Sequence, residues 1–182
     1  LEPTNEGYAL AKIVGTRLCQ YINRKNLDLQ YKTIIPCNIY GRHDKFDTKS
    51  SHLIAAIISK IHNAKERKEG DVWIWGPGTA RREFIYAGDV ADAILFAASD
   101  LAVMPDVVNI GIGSDYSIKE YYEVVKEVLR WDGDFKYDKS KPVGMEQKLS
   151  NLSRQNVWGW KAKTPIEEGI KYTYDFFLES KY

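Results

Sequence analysis

The chain has 182 residues, a formal net charge of +1, and 44% hydrophobic and 28% charged residues. This composition suits a packed core and excludes disordered and fibrous classes, while the balanced charge removes any argument for nucleic acid or an anionic membrane surface and leaves small molecules as partners. No apolar run approaches the roughly 20 residues of a membrane span, and the start has neither a basic nor an apolar leader region, so the chain reads as cytoplasmic.

The first predicted helix covers residues 5–24, where Leu10, Ile13, Val14, Leu18, Tyr21 and Ile22 recur at three- and four-residue steps and mark one buried stripe. Within it Tyr8 precedes Lys12 by four residues, a spacing that stacks phenol and ammonium on one face, about 6 Å apart at their β-carbons. A cation there favours the phenolate and makes Tyr8 a candidate proton donor or acceptor, which is oxidoreductase chemistry; the same spacing also falls on solvated helices. The sequence opens on Leu1 without an initiator methionine, so a preceding segment is expected.

Residues 29–39, with Tyr31, Thr33, Ile34 and Ile35, read as a strand that stops near Gly41. Cys19 in the helical pattern and Cys37 in the strand pattern lack metal-ligand spacing and read as buried thiols. A second helix fits residues 50–64, with Leu53, Ile54, Ile57, Ile58 and Ile61 on one side, and the charged run 65–70 is a solvated turn. Short strands at 72–75 and 84–86 flank the turn Gly76-Pro77-Gly78, a helix follows at 89–98, and a strand at 107–112 ends at Gly113. Ser117 with Glu120 forms a capping-box signature, and Thr164, Pro165 and Glu167 form another with proline at the first helical position. Alternating helices and strands predict an α/β fold with a mainly parallel sheet.

Three further groups are chemically suggestive. Asn38, in Pro36-Cys37-Asn38-Ile39, sits where a strand ends, and open parallel sheets collect ligands there; it also suits a turn ahead of Gly41. Trp75, Arg81 and Arg82 combine a flat indole wall with guanidinium forks that match a pyrophosphate, or else form a solvated surface hairpin. His52 stands near a helix start, as a capping or partly buried residue or as an acid/base group, whereas His43 and His62 read as surface or structural.

In this order the segments resemble the extended short-chain dehydrogenase/reductases that act on nucleotide-sugars, within the NAD-dependent epimerase/dehydratase family, and among them the GDP-L-fucose synthase group. The resemblance runs through residues 2–12 and 36–44, Ser51-His52, residues 75–84, Asn109-Ile110-Gly111, and Ser140-Lys141-Pro142 with Lys148-Leu149. It implies the C-terminal part of a Rossmann-type doubly wound parallel sheet plus a smaller α/β substrate-binding domain. Residues 1–42 and 84–113 would be the late part of the NADP-binding domain, and 43–83 with 114–182 the nucleotide-sugar domain.

The implied activity is NADPH-dependent C3/C5 epimerisation and C4-keto reduction of a GDP-4-keto-6-deoxy-hexose by a homodimer whose Tyr8 helix joins an intersubunit bundle. Tyr8 would protonate the C4 oxygen, Lys12 would hold the nicotinamide ribose, and His52 would exchange protons beside the ketone while also bordering the cofactor. Pro36, Cys37, Asn38 and Ile39 would line the nicotinamide, and Asn38, Arg82, Trp75, Lys60 and Lys148 would take the GDP-sugar. Lys60 stands where the family often has arginine, and Arg42 where it commonly has proline. The glycine-rich phosphate loop, the serine partner of Tyr8 and the cysteine partner of His52 would lie upstream of Leu1. The alternatives are a GDP-sugar C4 reductase, possibly for a heptose, without epimerase activity, and a non-catalytic nucleotide-sugar-binding module.

Overall fold

Helices and strands alternate through the chain as the pattern predicts. In the computed structural model, residues 5–47, 51–141 and 144–180 are described. In order come α1 (Glu6–Lys25), β1 (Thr33–Pro36), β2 (Asn38–Tyr40), α2 (Leu53–Glu66), β3 (Asp71–Trp75), β4 (Arg81–Arg82), β5 (Phe84–Tyr86) and α3 (Ala87–Ser99). They are followed by β6 (Val107–Ile110), β7 (Tyr116–Ser117), α4 (Ile118–Leu129), β8 (Asp134–Asp138), β9 (Gln147–Lys148), α5 (Ser153–Trp158) and α6 (Ile166–Glu179). No helix of the described residues is long and apolar enough to cross a membrane.

Among the described residues, pairing is parallel for β1 with β6, β2 with β5, β3 with β8 and β4 with β9, and antiparallel only for β4 with β7. The strand predicted at 29–39 begins later and is two strands, because the chain changes neighbour at Cys37: β1 runs beside β6, β2 beside β5. Pro36 has no N–H to donate, and the next donor, Cys37 N, reaches Ile110 O at 2.9 Å.

Two apolar cores meet at β5. Ile54, Ile57, Ile58 and Ile61 of α2 pack with Tyr121, Val125 and Leu129 of α4, Ile170 and Phe177 of α6, and Val72 and Ile74 of β3. The second core gathers Ile85, Ala93, Ala97, Val108, Ile110, Trp158 and Trp160. Successive strand residues face opposite ways, so Phe84 enters the first core and its neighbour Ile85 the second.

Three expectations are corrected. The stripe on α1 is not buried: no residue of that helix is buried, and Leu10, Ile13, Val14, Leu18 and Tyr21 are exposed. Amphipathic spacing specifies that a face needs cover, not which element supplies it, and the described residues leave this face largely uncovered. The helix is tied down near its end, where Asn23 Nδ2 donates to Tyr31 O at 2.8 Å and Tyr31 N donates to Asn23 Oδ1 at 2.9 Å.

The capping box at 164–167 does not form either. Pro165 is the N-cap of α6 without a side-chain bond, because the Thr164 hydroxyl and N–H both go to the buried Asp89 carboxylate, at 3.0 and 3.1 Å. The Ser117 box does form, with Ser117 Oγ accepting from Glu120 N and Glu120 Oε2 from Ser117 N. Finally, both cysteines are free and half-buried rather than buried. The predicted start of α2 at Ser50 and the Pro142 part of the later motif lie outside the described residues; α2 is seen from Leu53.

Candidate active site

A cleft of about 1300 Å³ runs between α1 and the length of β1, continuing past the carboxyl end of that strand to Ile39. Helix α1 contributes Tyr8 and Lys12 to it, one turn apart on the same face, with Lys12 Nζ 5.4 Å from the Tyr8 ring centroid. The ammonium therefore sits over the ring face, the favourable side of an aromatic quadrupole. Tyr8 is 62% exposed, so its phenol is accessible from the cleft.

The opposite wall is the switch from β1 to β2, where Pro36, Cys37, Asn38 and Ile39 border the cleft in succession. Asn38 Nδ2 donates to the Glu83 carbonyl at 2.7 Å, which ties β2 to the residue ahead of β5. Its Oδ1 accepts no hydrogen bond among the described residues, so the turn-forming role weighed from sequence is replaced by a strand-to-strand tie. Burial pushes the Cys37 thiol up to about 12, with the Glu83 carboxylate adding to the effect, so this wall presents a neutral thiol.

His52, the residue before α2, also borders the cleft. It makes no side-chain cap; instead Nδ1 lies 3.1 Å from Asp44 Oδ1, and the ring is largely exposed. A carboxylate at Nδ1 fixes the ring and leaves Nε2 for proton exchange.

The cationic end is built by β4 and β9. Their parallel register sets Arg82 beside Lys148, and both border the cleft. Arg82 Nη1 donates to Arg81 O at 2.7 Å. The two adjacent arginines do not act together: Arg81 Nε reaches Asp115 Oδ1 at 2.7 Å and its Nη1 reaches Glu120 Oε2 at 3.4 Å, away from the cleft. Alternation along a strand separates neighbours this way, and the surface hairpin weighed from sequence is instead a three-stranded sheet, β7-β4-β9.

Trp75 and Lys60 do not border the cleft; they meet each other. Lys60 Nζ is 5.1 Å from the Trp75 ring centroid and donates to Tyr122 Oη at 3.2 Å and Trp73 O at 3.3 Å, while Lys141 approaches the same indole at 5.7 Å. Burial lowers the Lys60 pKa. Arg42 likewise points elsewhere, its guanidinium 5.7 Å from the Tyr172 ring on α6. His62 is buried, with Nδ1 3.0 Å from Tyr174 Oη, and His43 packs 4.3 Å from the Phe176 ring, as structural histidines.

Sequence reasoning passed over Glu83. An acid between two arginines and an apolar triplet looks like a solvated turn charge, yet it is fully buried. The available signal was its position directly ahead of a strand whose residues are all apolar or aromatic.

Comparison with known proteins agrees with this layout. The chain is 51% identical over 181 residues to GDP-L-colitose synthase of Yersinia pseudotuberculosis and 46% identical over 177 residues to GDP-L-fucose synthase of Azorhizobium caulinodans. These matches cover 100% and 97% of the chain but 59% and 56% of the relatives, so the chain spans little more than half of their length. Among solved structures, a GDP-mannoheptose C4 reductase from Campylobacter jejuni with NADP bound superposes with a TM-score of 0.83 at 30% identity, over 98% of this chain and 59% of that one. A GDP-L-fucose synthetase from Naegleria fowleri bound to NADP gives 0.86 at 25% identity, over 97% of this chain and 57% of that one. Residues 1–111 match the model of the family described as NAD dependent epimerase/dehydratase. With that match over more than half its length and a parallel α/β layout that agrees, the chain belongs to the NAD dependent epimerase/dehydratase family.

Proposed function

We propose that the protein containing this chain reduces the C4 ketone of a GDP-4-keto-6-deoxy-hexose with NADPH, after epimerising C3 and C5. One observation carries the reading: Tyr8, Lys12, residues 36–39, His52, Arg82 and Lys148 all open onto one cleft. The names of the relatives support it, since they are GDP-sugar enzymes and two solved neighbours hold NADP.

The residues present suit the cofactor. Lys12 offers donors for ribose hydroxyls, and the neutral wall of Pro36, Cys37 and Ile39 suits a nicotinamide face. NADPH, when bound, supplies hydride to C4. Tyr8 donates its phenolic proton to the C4 oxygen as the alkoxide develops, and the Lys12 ammonium stabilises the phenolate that remains. His52, held by Asp44, moves protons at C3 and C5 through Nε2. Arg82 and Lys148 bind the pyrophosphate, and Asn38 Oδ1 accepts from a sugar hydroxyl.

Residues 1–42 and 84–113 serve the cofactor, and 43–83 with 114–182 serve the nucleotide-sugar; the two cores follow this division in part, with Trp158 and Trp160 packing on the cofactor side and Tyr40 and Phe84 on the other. Lys60 and Trp75 extend the nucleotide site beyond the cleft. The protein works as a homodimer in the cytoplasm: the uncovered stripe of α1 supports pairing, and the two free thiols suit a reducing compartment. A second reading, C4 reduction of a heptose without epimerisation, is favoured by the similarity to the GDP-mannoheptose reductase.

The test uses the full-length protein. NADPH oxidation should start on addition of the GDP-4-keto sugar and fall about a thousandfold in Tyr8→Phe; an unchanged rate in that variant ends the proton-donor role. Saturable binding of the GDP-sugar without any turnover would establish the non-catalytic module instead. Solvent deuterium should enter C3 and C5, and His52→Asn should abolish it. Turnover without deuterium would select the second reading.

A further inference from the structure

Glu83 lies between β4 and β5, fully buried. A carboxylate is costly to bury unless hydrogen bonds replace its water, and here three backbone donors do so. Oε1 accepts from Ile112 N and Gly113 N, each at 2.8 Å, and Oε2 accepts from Ser150 N at 2.9 Å. Gly111 makes room for it, since a β-carbon at that position would lie 2.2 Å from Oε1. The Glu83 main-chain carbonyl accepts from Asn38 Nδ2 at 2.7 Å.

One residue therefore joins three segments that are distant in sequence: β2, the 111–113 turn, and β9 with the residues that follow it. Two of them carry cleft residues, Asn38 and Lys148, the latter two positions before Ser150. The stretch 144–149 is exposed throughout. It is held by its pairing with β4, by Arg81 N donating to Glu146 O at 2.8 Å, by Gln147 bonding to Asp115, and by the Glu83 bond to Ser150. The last of these is the bond made by the Glu83 side chain; the pairing of Lys148 with Arg82 and the bond from Asn109 Nδ2 to Asn151 O at 3.2 Å hold the stretch on either side of it.

We propose that Glu83 is a positioning residue: its carboxylate clamps the strap bearing Lys148 while its main-chain carbonyl orients the Asn38 amide, so that the substrate end of the cleft is preformed. The carboxylate cannot be exchanged for an amide without loss, because an amide presents only one acceptor oxygen and turns its NH₂ toward a backbone donor. The role rests on the nucleotide-sugar reading of the cleft.

Full-length wild type, Glu83→Gln and Ser150→Pro separate the possibilities; the proline variant removes the strap's donor and leaves the carboxylate intact. In both variants KM for the GDP-4-keto sugar should rise about tenfold with kcat within about twofold, while KM for NADPH stays unchanged. Amide hydrogen exchange across residues 144–149 should speed up in both. An unchanged sugar KM despite a loosened strap, or a fall in kcat at unchanged KM, overturns the proposal, and so does unaltered exchange. If Glu83→Gln does not fold, Ser150→Pro carries the same readouts. If wild type turns over no GDP-sugar, the functional reading fails, and the exchange measurement still decides whether Glu83 clamps the strap.

Discussion

Arg81 holds Asp115 across the β4–β7 pair, with Nε donating to Oδ1 at 2.7 Å and Nη2 to the Asp115 carbonyl at 2.6 Å. Its neighbour Arg82 turns to the cleft. Substitution should therefore split cleanly: Arg81→Ala lowers the melting temperature and leaves the sugar KM within about twofold, whereas Arg82→Ala raises that KM about tenfold or more and leaves the melting temperature alone.

Hydrogen bonds from Gln147 and Arg81 hold the Asp115 carboxyl below the usual carboxylate range. A depressed folded value means that the unfolded chain binds the proton more readily, so stability rises with pH across the interval. The contribution is complete above the unfolded value of about 3.9 and is lost as pH falls through the lower folded value. Acid unfolding followed by circular dichroism should show a shallower loss in that interval for Arg81→Ala than for wild type.

Gly169 on α6 lies against Tyr40, and a β-carbon there would meet the Tyr40 hydroxyl at 2.1 Å. Gly169→Ala should destabilise by about 1–3 kcal/mol despite alanine's better helix propensity. Tyr40→Phe removes the atom in the way, so the double variant should recover part of that loss. Additive losses in denaturant unfolding would remove the steric explanation.

Thr164 and Ser117 look alike as capping residues and should behave differently. Ser117→Ala loses a true cap and about 1 kcal/mol. Thr164→Val withdraws a hydroxyl from the buried Asp89 carboxylate and should cost about 1–3 kcal/mol. Asp89→Asn should reduce the Thr164 effect and leave the Ser117 effect intact, which a double-mutant cycle in urea measures.

Cys37 should resist alkylation in the native protein at about pH 8, since a thiol pushed up to about 12 carries almost no thiolate. Mass spectrometry after iodoacetamide treatment should find Cys37 modified only once the protein is denatured. Modification under native conditions would show that the thiol is not held neutral by its surroundings.

Long periodic segments were legible. The α2 isoleucines, the Ser117 box and the strand-to-Gly76 break follow from spacing and turn chemistry; Tyr8 and Lys12 stand out by their spacing and His52 and Arg82 by residue type and position, and the motif resemblance supplies Lys148. Most of what escaped depends on tertiary geometry. Strand β8, Asp134-Phe135-Lys136-Tyr137-Asp138, carries a short period-2 alternation that sequence reading passed over, and it pairs with β3. The two-residue strands β4, β7 and β9 have no local period at all. Thr164 matched a capping pattern, but a buried carboxylate 75 positions away took its hydroxyl. The α1 stripe was read correctly as apolar and wrongly as covered.

Strand β5 gives Phe84 to one core and Ile85 to the other. A single inserted or deleted residue there would exchange the two side chains and invert both cores at once, while moving Glu83 out of line with its three amides. The three-residue strand β5 is thus a point of length intolerance: substitutions that keep size and polarity can be absorbed along it, but a frame slip of one residue would dismantle both cores together.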